Sequence, residues 1–110
     1  MKYYVLCPYG LVTGGPDALH QIVYYLNYIG KDAKLVYLNI NDKQQEIPGP
    51  YKNYIKDYCL FSEIDDSNDT TIIIPEFVSF YSNTFKKSSV YIWWLSVYYN
   101  LNETSLMHKL

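Results

Sequence analysis

The chain has 110 residues, 49% of them hydrophobic and 18% charged, with a net charge of -2. That size and balance suit one globular domain with a single core, and exclude both a disordered chain and a pair of large domains. All nine basic residues are lysines, and no basic cluster exceeds Lys86-Lys87. Without arginine, the usual bidentate ligand for phosphates and guanine edges, no nucleic-acid partner is expected.

Taken in chain order, Tyr3 to Cys7 (YYVLC) is a short apolar run closed by Pro8, the pattern of a buried strand. Pro16 fits the first turn of a helix, where its missing N–H costs nothing. Leu19, Ile22, Val23, Leu26 and Ile29 recur at helical spacing, and Gly30 ends the helix. A second strand follows at Lys34 to Leu38 (KLVYL), completing a strand-helix-strand unit of the kind that holds its strands parallel. The polar stretch from Asn39, broken by Pro48, Gly49 and Pro50, reads as a surface loop. A short helix is predicted from Tyr51 to Tyr58, with Tyr51, Tyr54, Ile55 and Tyr58 on one side.

The acidic run from Glu63 to Asp69 (EIDDSND) reads as a solvated turn, since its spacing does not fit a calcium loop. Thr70 to Ile74 (TTIII) is a β-branched third strand stopped by Pro75. A helix is predicted from Glu76 to about Thr84. The fourth strand, Val90 to Leu95 (VYIWWL), shows no alternation and is expected to be covered on both faces. Asn102 with Glu103 can start a last helix. This alternation predicts an α/β domain: an open, mostly parallel sheet of about four strands, in the order 3-2-1-4, with helices on both faces.

Ligands of such sheets lie beyond the carboxyl ends of the strands, where the strand order switches. The loops expected there carry Tyr9 to Gly15 and Ser96 to Tyr99. Gly14 and Gly15 have no Cβ, so their backbone can approach a ligand and adopt positive φ. The amide donors of the following helix point the same way. The glycine spacing is neither a Walker loop nor the dinucleotide fingerprint. Asp17, in the first helical turn, would repel a phosphate and accept from sugar hydroxyls, which favours a polyol.

His20 and Gln21 follow Asp17 at helical spacing, so an Asp17–His20 pair is a candidate for proton transfer. The alternative makes Asp17 a partner of the helix dipole and His20 a surface residue. Gly14-Gly15 are equally compatible with a tight turn. Glu76 and Ser96 stand at the same sheet edge, as ligand contacts or as helix starts. Trp93 and Trp94 fit a core or an interface better than a stacking platform. The 14 tyrosines suit a surface that handles sugars or partners, or reflect the base composition of the gene.

Three blocks, CPYGLVTGGPDALHQ from Cys7 to Gln21, IIIPEF from Ile72 to Phe77 and YIWWLSVYY from Tyr91 to Tyr99, resemble the N-terminal domain of GT-B glycosyltransferases. The likeness is to bacterial enzymes of polysaccharide and lipopolysaccharide biosynthesis. It implies a Rossmann-like three-layer sandwich, residues 1–110 forming the acceptor-side half of a two-domain transferase. It also implies that Gly14 and Gly15 border the donor, while Asp17, His20 and Glu76 line the acceptor side. The family commonly carries an acid where this chain has Tyr98-Tyr99.

The resemblance further implies that no cofactor is held by these residues, the nucleotide-sugar donor belonging to a donor-binding domain or subunit. The chain alone is then inactive, with a sugar or glycan acceptor as its own partner. The expected location is cytoplasmic, at the inner face of the membrane. Pro8 and Gly10 cut the first apolar run short of a signal peptide, and no run approaches about 20 apolar residues. Pairing of chains through the edge of the fourth strand is also expected. The other reading of the chain is a stand-alone Rossmann-like binding or scaffold protein without catalysis.

Overall fold

The structure is a computed structural model that describes residues 1–10 and 14–93, apart from the side chain of Phe77. The expected α/β architecture is present: five strands form one all-parallel, Rossmann-like sheet in the order β3-β2-β1-β4-β5. The strands are β1 (Lys2–Pro8), β2 (Asp32–Leu38), β3 (Cys59–Leu60), β4 (Thr70–Pro75) and β5 (Ser89–Trp93). Numbered as observed, the strands begin in the order 3-2-1-4, with the short β3 at one edge and β5 at the other, while the four strands expected from the sequence themselves run 2-1-3-4. Thr70–Pro75, expected as the third strand beyond β2, lies beside β1, and Cys59–Leu60, within the short apolar run Tyr58–Phe61 (YCLF), takes the place next to β2.

Helix α1 (Gly14–Tyr28) connects β1 to β2. Pro16 is its third residue, where the absent N–H would have had no partner. Its end is a Schellman turn: Gly30 adopts φ +93, its N–H donates to the Asn27 carbonyl at 3.1 Å, and the Lys31 N–H donates to Leu26 at 2.9 Å. On one face of the sheet α1 buries Leu19 and Val23 against Val5, Cys7, Leu35 and Tyr37. The opposite face carries Tyr4, Leu6, Val36, Leu38, Ile72 and Ile74. Val5, Leu6, Leu35 and Val36 are all fully buried, each worth about 1.5–3 kcal/mol of burial, which is why β1 and β2 read as unbroken apolar runs.

The layer over that second face differs from expectation. It consists of a 3-10 turn at Phe61–Glu63 and a 3-10 stretch at Glu76–Thr84, kinked at Val78 (φ -124, ψ 27). Glu76–Thr84 is helical as predicted, in the tighter form. Tyr51 to Tyr58 is not a helix; a 3-10 turn at Gly49–Tyr51 is followed by one further turn. An eight-residue stretch with three tyrosines and one β-branched residue cannot offset the cost of helix nucleation. Tertiary packing holds it instead, with Tyr51, Ile55 and Tyr58 buried.

β5 is likewise not covered on both faces. It alternates: Val90 and Ile92 pack on the second core, while Tyr91 is 63% and Trp93 43% exposed. Trp94, Leu95, Ser96 and the helix expected from Asn102 lie outside the described residues. Among the described residues no helix is long and apolar enough to cross a membrane, and no cluster of three metal-ligating side chains occurs.

Candidate functional site

The strand order reverses between β1 and β4. Their ladder ends at Val5–Ile73, before either strand does, because β1 runs on to Pro8 and β4 to Pro75. The two strands thus part at their carboxyl ends, the geometry that opens a crevice at a switch point. Since β4 and not β5 neighbours β1, Glu76 is the described residue that flanks this crevice across from β1. The Ser96 loop was expected in that position; Ser96 itself lies outside the described residues.

α1 begins at Gly14 on the near side of the crevice, Gly14 exposed and Gly15 buried. Both are helical residues of the first turn. The described residue of this corner that uses glycine's conformational freedom is Gly10, at φ +90 with open space where a Cβ would stand. Asp17 is half-buried in the first turn, where a carboxylate is favoured by the dipole. Its Oδ2 accepts from Gln21 Nε2 at 2.6 Å.

His20 does not join Asp17. The ring is fully buried, turned into the core against Tyr37 and Tyr51. Its Nδ1 lies 2.7 Å from the Pro16 carbonyl oxygen and its Nε2 lies 2.7 Å from the Tyr37 hydroxyl. A carbonyl only accepts, so Nδ1 carries the proton and Nε2 accepts from Tyr37. The imidazole also stacks on Tyr51, with centroids 3.8 Å apart and planes 18° from parallel. Burial holds its pKa below the ordinary value of 6.5, against the opposing pull of the Pro16 carbonyl and Asp17. With both nitrogens committed and no exposed surface, the candidate proton-transfer residue is a core residue in this arrangement. On the helical wheel His20 lies about 60° beyond Val23, at the margin of the apolar arc, so spacing alone did not mark it as a core residue.

The same core gathers the tyrosines. Tyr37 meets Tyr9 edge-on at 5.0 Å and Tyr58 at 4.8 Å, and burial pushes its phenol well above the ordinary range. The Tyr9 and Tyr58 hydroxyls donate to the carbonyls of Glu46 and Gln45, which pins the loop after β2 over the carboxyl end of the sheet. Cys7 lies beneath, its thiol pushed by burial to about 12, an inert hydrophobe and no nucleophile.

At the amino ends of the strands, the acidic run is more than a solvated turn. Asp66 accepts from the N–H groups of Lys86, Lys87 and Ser88 and from Ser88 Oγ, at 2.6–3.2 Å. The Ser88 hydroxyl and these amides hold its carboxyl below the usual carboxylate range. Lys2 Nζ donates to Asp65 at 2.9 Å. The run therefore ties the entry of β4 to β1 and β5.

Comparison with known proteins returned no matching family model, no matching curated protein and no matching solved structure.

Proposed function

We propose that the chain is the acceptor-side domain of a sugar-nucleotide-dependent glycosyltransferase of cell-surface glycan synthesis. The observation that carries this reading is the parting of β1 and β4 beside the first turn of α1. Exposed Gly14 offers backbone without a side chain, and Asp17 offers an acceptor to hydroxyl groups. Glu76 follows β4, the strand beside β1. Hydroxyl-rich ligands match such a mixture of amide donors and carboxylate acceptors, whereas a bare phosphate would meet two acids and no arginine.

On this reading Gly14 and Gly15 border the donor and Asp17 and Glu76 line the acceptor side. The nucleotide is held by a donor-binding domain or subunit, because transfer at a cleft needs both walls to orient the reactants. His20 supports the first turn from below through the Pro16 carbonyl. Work at the cytoplasmic face of the membrane, in a bacterial polysaccharide pathway, belongs to the same proposal.

Titration of the 15N-labelled chain with neutral oligosaccharides and with nucleotide sugars tests it. Shifts of the amides of Gly14 to Leu19 and of Glu76 with oligosaccharide, but not with nucleotide, are expected. Silence of those amides across a broad glycan panel rejects the acceptor role. Sugar transfer from a nucleotide donor by the purified chain alone would contradict the need for a second wall.

A further inference from the structure

A cavity of about 470 Å³ lies far from the crevice, between the C-terminal half of α1, the outer edge of β2 and the segment 53–59. Its volume falls in the range of small-molecule sites, roughly 300–1,000 Å³. It exists because β3 is so short. β3 pairs only with Val36 and Tyr37, so among the described residues no strand covers the outer edge of Asp32 to Leu35. The Asn27 carboxamide occupies the edge at Ala33, donating to its carbonyl at 3.0 Å and accepting from its N–H at 2.9 Å. That blocks addition of another strand at this point and leaves the space beyond it open.

The wall is polar in a particular way. Lys34, Lys43 and Lys56 line it together with Asp32 and Asp57, three ammonium groups against two carboxylates, in a chain whose net charge is -2. Lys43 is held by Glu63 at 3.2 Å, and Lys34 stands 3.8 Å from Asp32. Lys56 has no ion-pair partner among the described residues. Ammonium groups act as point charges and do not select a planar carboxylate over a phosphate. Tyr24 and Tyr54 add ring surfaces, edge to face with centroids 5.9 Å apart, and Asn53 adds a carboxamide.

A wholly apolar ligand would strand these polar groups, at the cost of burying them unpaired. A bare inorganic anion would leave the tyrosine surfaces unfilled. Cys59, also in the wall, is half-buried with its thiol pushed up by that burial, so it serves as wall and not as nucleophile.

We propose that this cavity binds a small acidic sugar, a single pyranose-sized polyol bearing one carboxylate or phosphate. The anion meets Lys56 and Lys34, the hydroxyls meet Asn53 and Asp57, and the ring lies against Tyr54. The site stands apart from the acceptor crevice: it uses the C-terminal half of α1 and the amino end of β2, whereas the crevice lies by the first turn of α1 and the carboxyl ends of β1 and β4.

The test is a titration of the 15N-labelled chain with glucuronate, glucose 6-phosphate, glucose and inorganic phosphate. Either acidic sugar should bind at millimolar concentration or tighter, shifting the amides of Asn27, Ala33 and residues 53–59 and leaving Gly14 to Asp17 unmoved. Whichever acidic sugar binds better identifies the anion. Lys56→Gln, on an exposed side chain, should weaken both acidic sugars about three- to fivefold and leave glucose unaffected. Asn53→Ala should weaken all three sugars. Glucose binding as tightly as the acidic sugars, inorganic phosphate reproducing the same shifts, or unmoved amides across 53–59 each overturn the proposal.

Discussion

Replacing Tyr37 with phenylalanine removes one hydroxyl and leaves the ring, which tests whether the buried His20–Tyr37 hydrogen bond organises this core. The His20 Nε2 that accepts from Tyr37 has no exposed surface through which water can substitute. An acceptor so stranded costs about 1–3 kcal/mol. At about 4–8 °C per kcal/mol for a domain near this size, melting should fall on the order of 10 °C. In the double variant His20→Phe/Tyr37→Phe both polar partners are gone and stacking on Tyr51 persists, so its loss should be smaller than the sum of the two single losses.

The acid response follows with a definite sign. His20 has a folded pKa below its ordinary 6.5, so its contribution is complete above that pH. As pH falls below 6.5 the unfolded chain takes up the proton first, and stability drops by at most about 1.4 kcal/mol per pH unit until the folded pKa is reached. Of the described groups around the ring, Asp17 is the carboxylate acting on it, and burial pushes the Tyr37 and Tyr58 phenols above their ordinary value, away from this window. Urea unfolding followed by circular dichroism at pH 7.5, 6.5 and 5.5 reads both effects. His108 is common to all variants, so the difference in slope isolates His20. Equal stability of Tyr37→Phe and wild type, or an unchanged slope in the double variant, would refute the tautomer and the burial argued here.

Two further outcomes follow from the edges of the sheet. Asp66→Asn should release the amides of Lys86, Lys87 and Ser88, read as faster hydrogen exchange confined to the entry of β5; unchanged protection there would show that the clamp is ornamental. Because the folded pKa of Asp66 lies below its ordinary 3.8, the wild-type clamp is complete above that value and is lost only as pH falls beneath it. β5 presents exposed Tyr91 and Trp93 beside an edge that no described strand covers. Concentration-dependent association in sedimentation is therefore expected, and Tyr91→Lys should suppress it; a monomer at high concentration before any substitution would remove that reading.

The strands of the sheet's centre were legible because their environment repeats locally. YYVLC, KLVYL and TTIII are buried on two faces, so almost every position must be apolar whatever lies next to it. The limits of α1 were legible for the same kind of reason, since Pro16 and Gly30 act through their own backbone. Where apolar residues were numerous but the environment was set from afar, the sequence misled. Tyr51, Ile55 and Tyr58 are buried as their pattern requires, yet Tyr51 is held by a histidine 31 residues earlier and Tyr58 by the Gln45 carbonyl, not by helical periodicity. Cys59–Leu60 becomes a strand only because the edge of β2 stands beside it.

The sites divide in the same way. The glycine corner and Asp17 were visible because they belong to one turn of one helix. That Glu76 stands at the end of the strand beside β1 depends on the strand order, and no local stretch encodes that order. The lysine-lined cavity draws on α1, β2, Lys43 and the segment 53–59, which come together only when the chain closes around a short edge strand. Sequence by itself determined which segments of this protein must be buried; tertiary structure decided which polar groups were buried with them. Burial of an apolar side chain is favourable against almost any neighbour, whereas a polar group such as His20 can be buried only where a specific distant partner satisfies it.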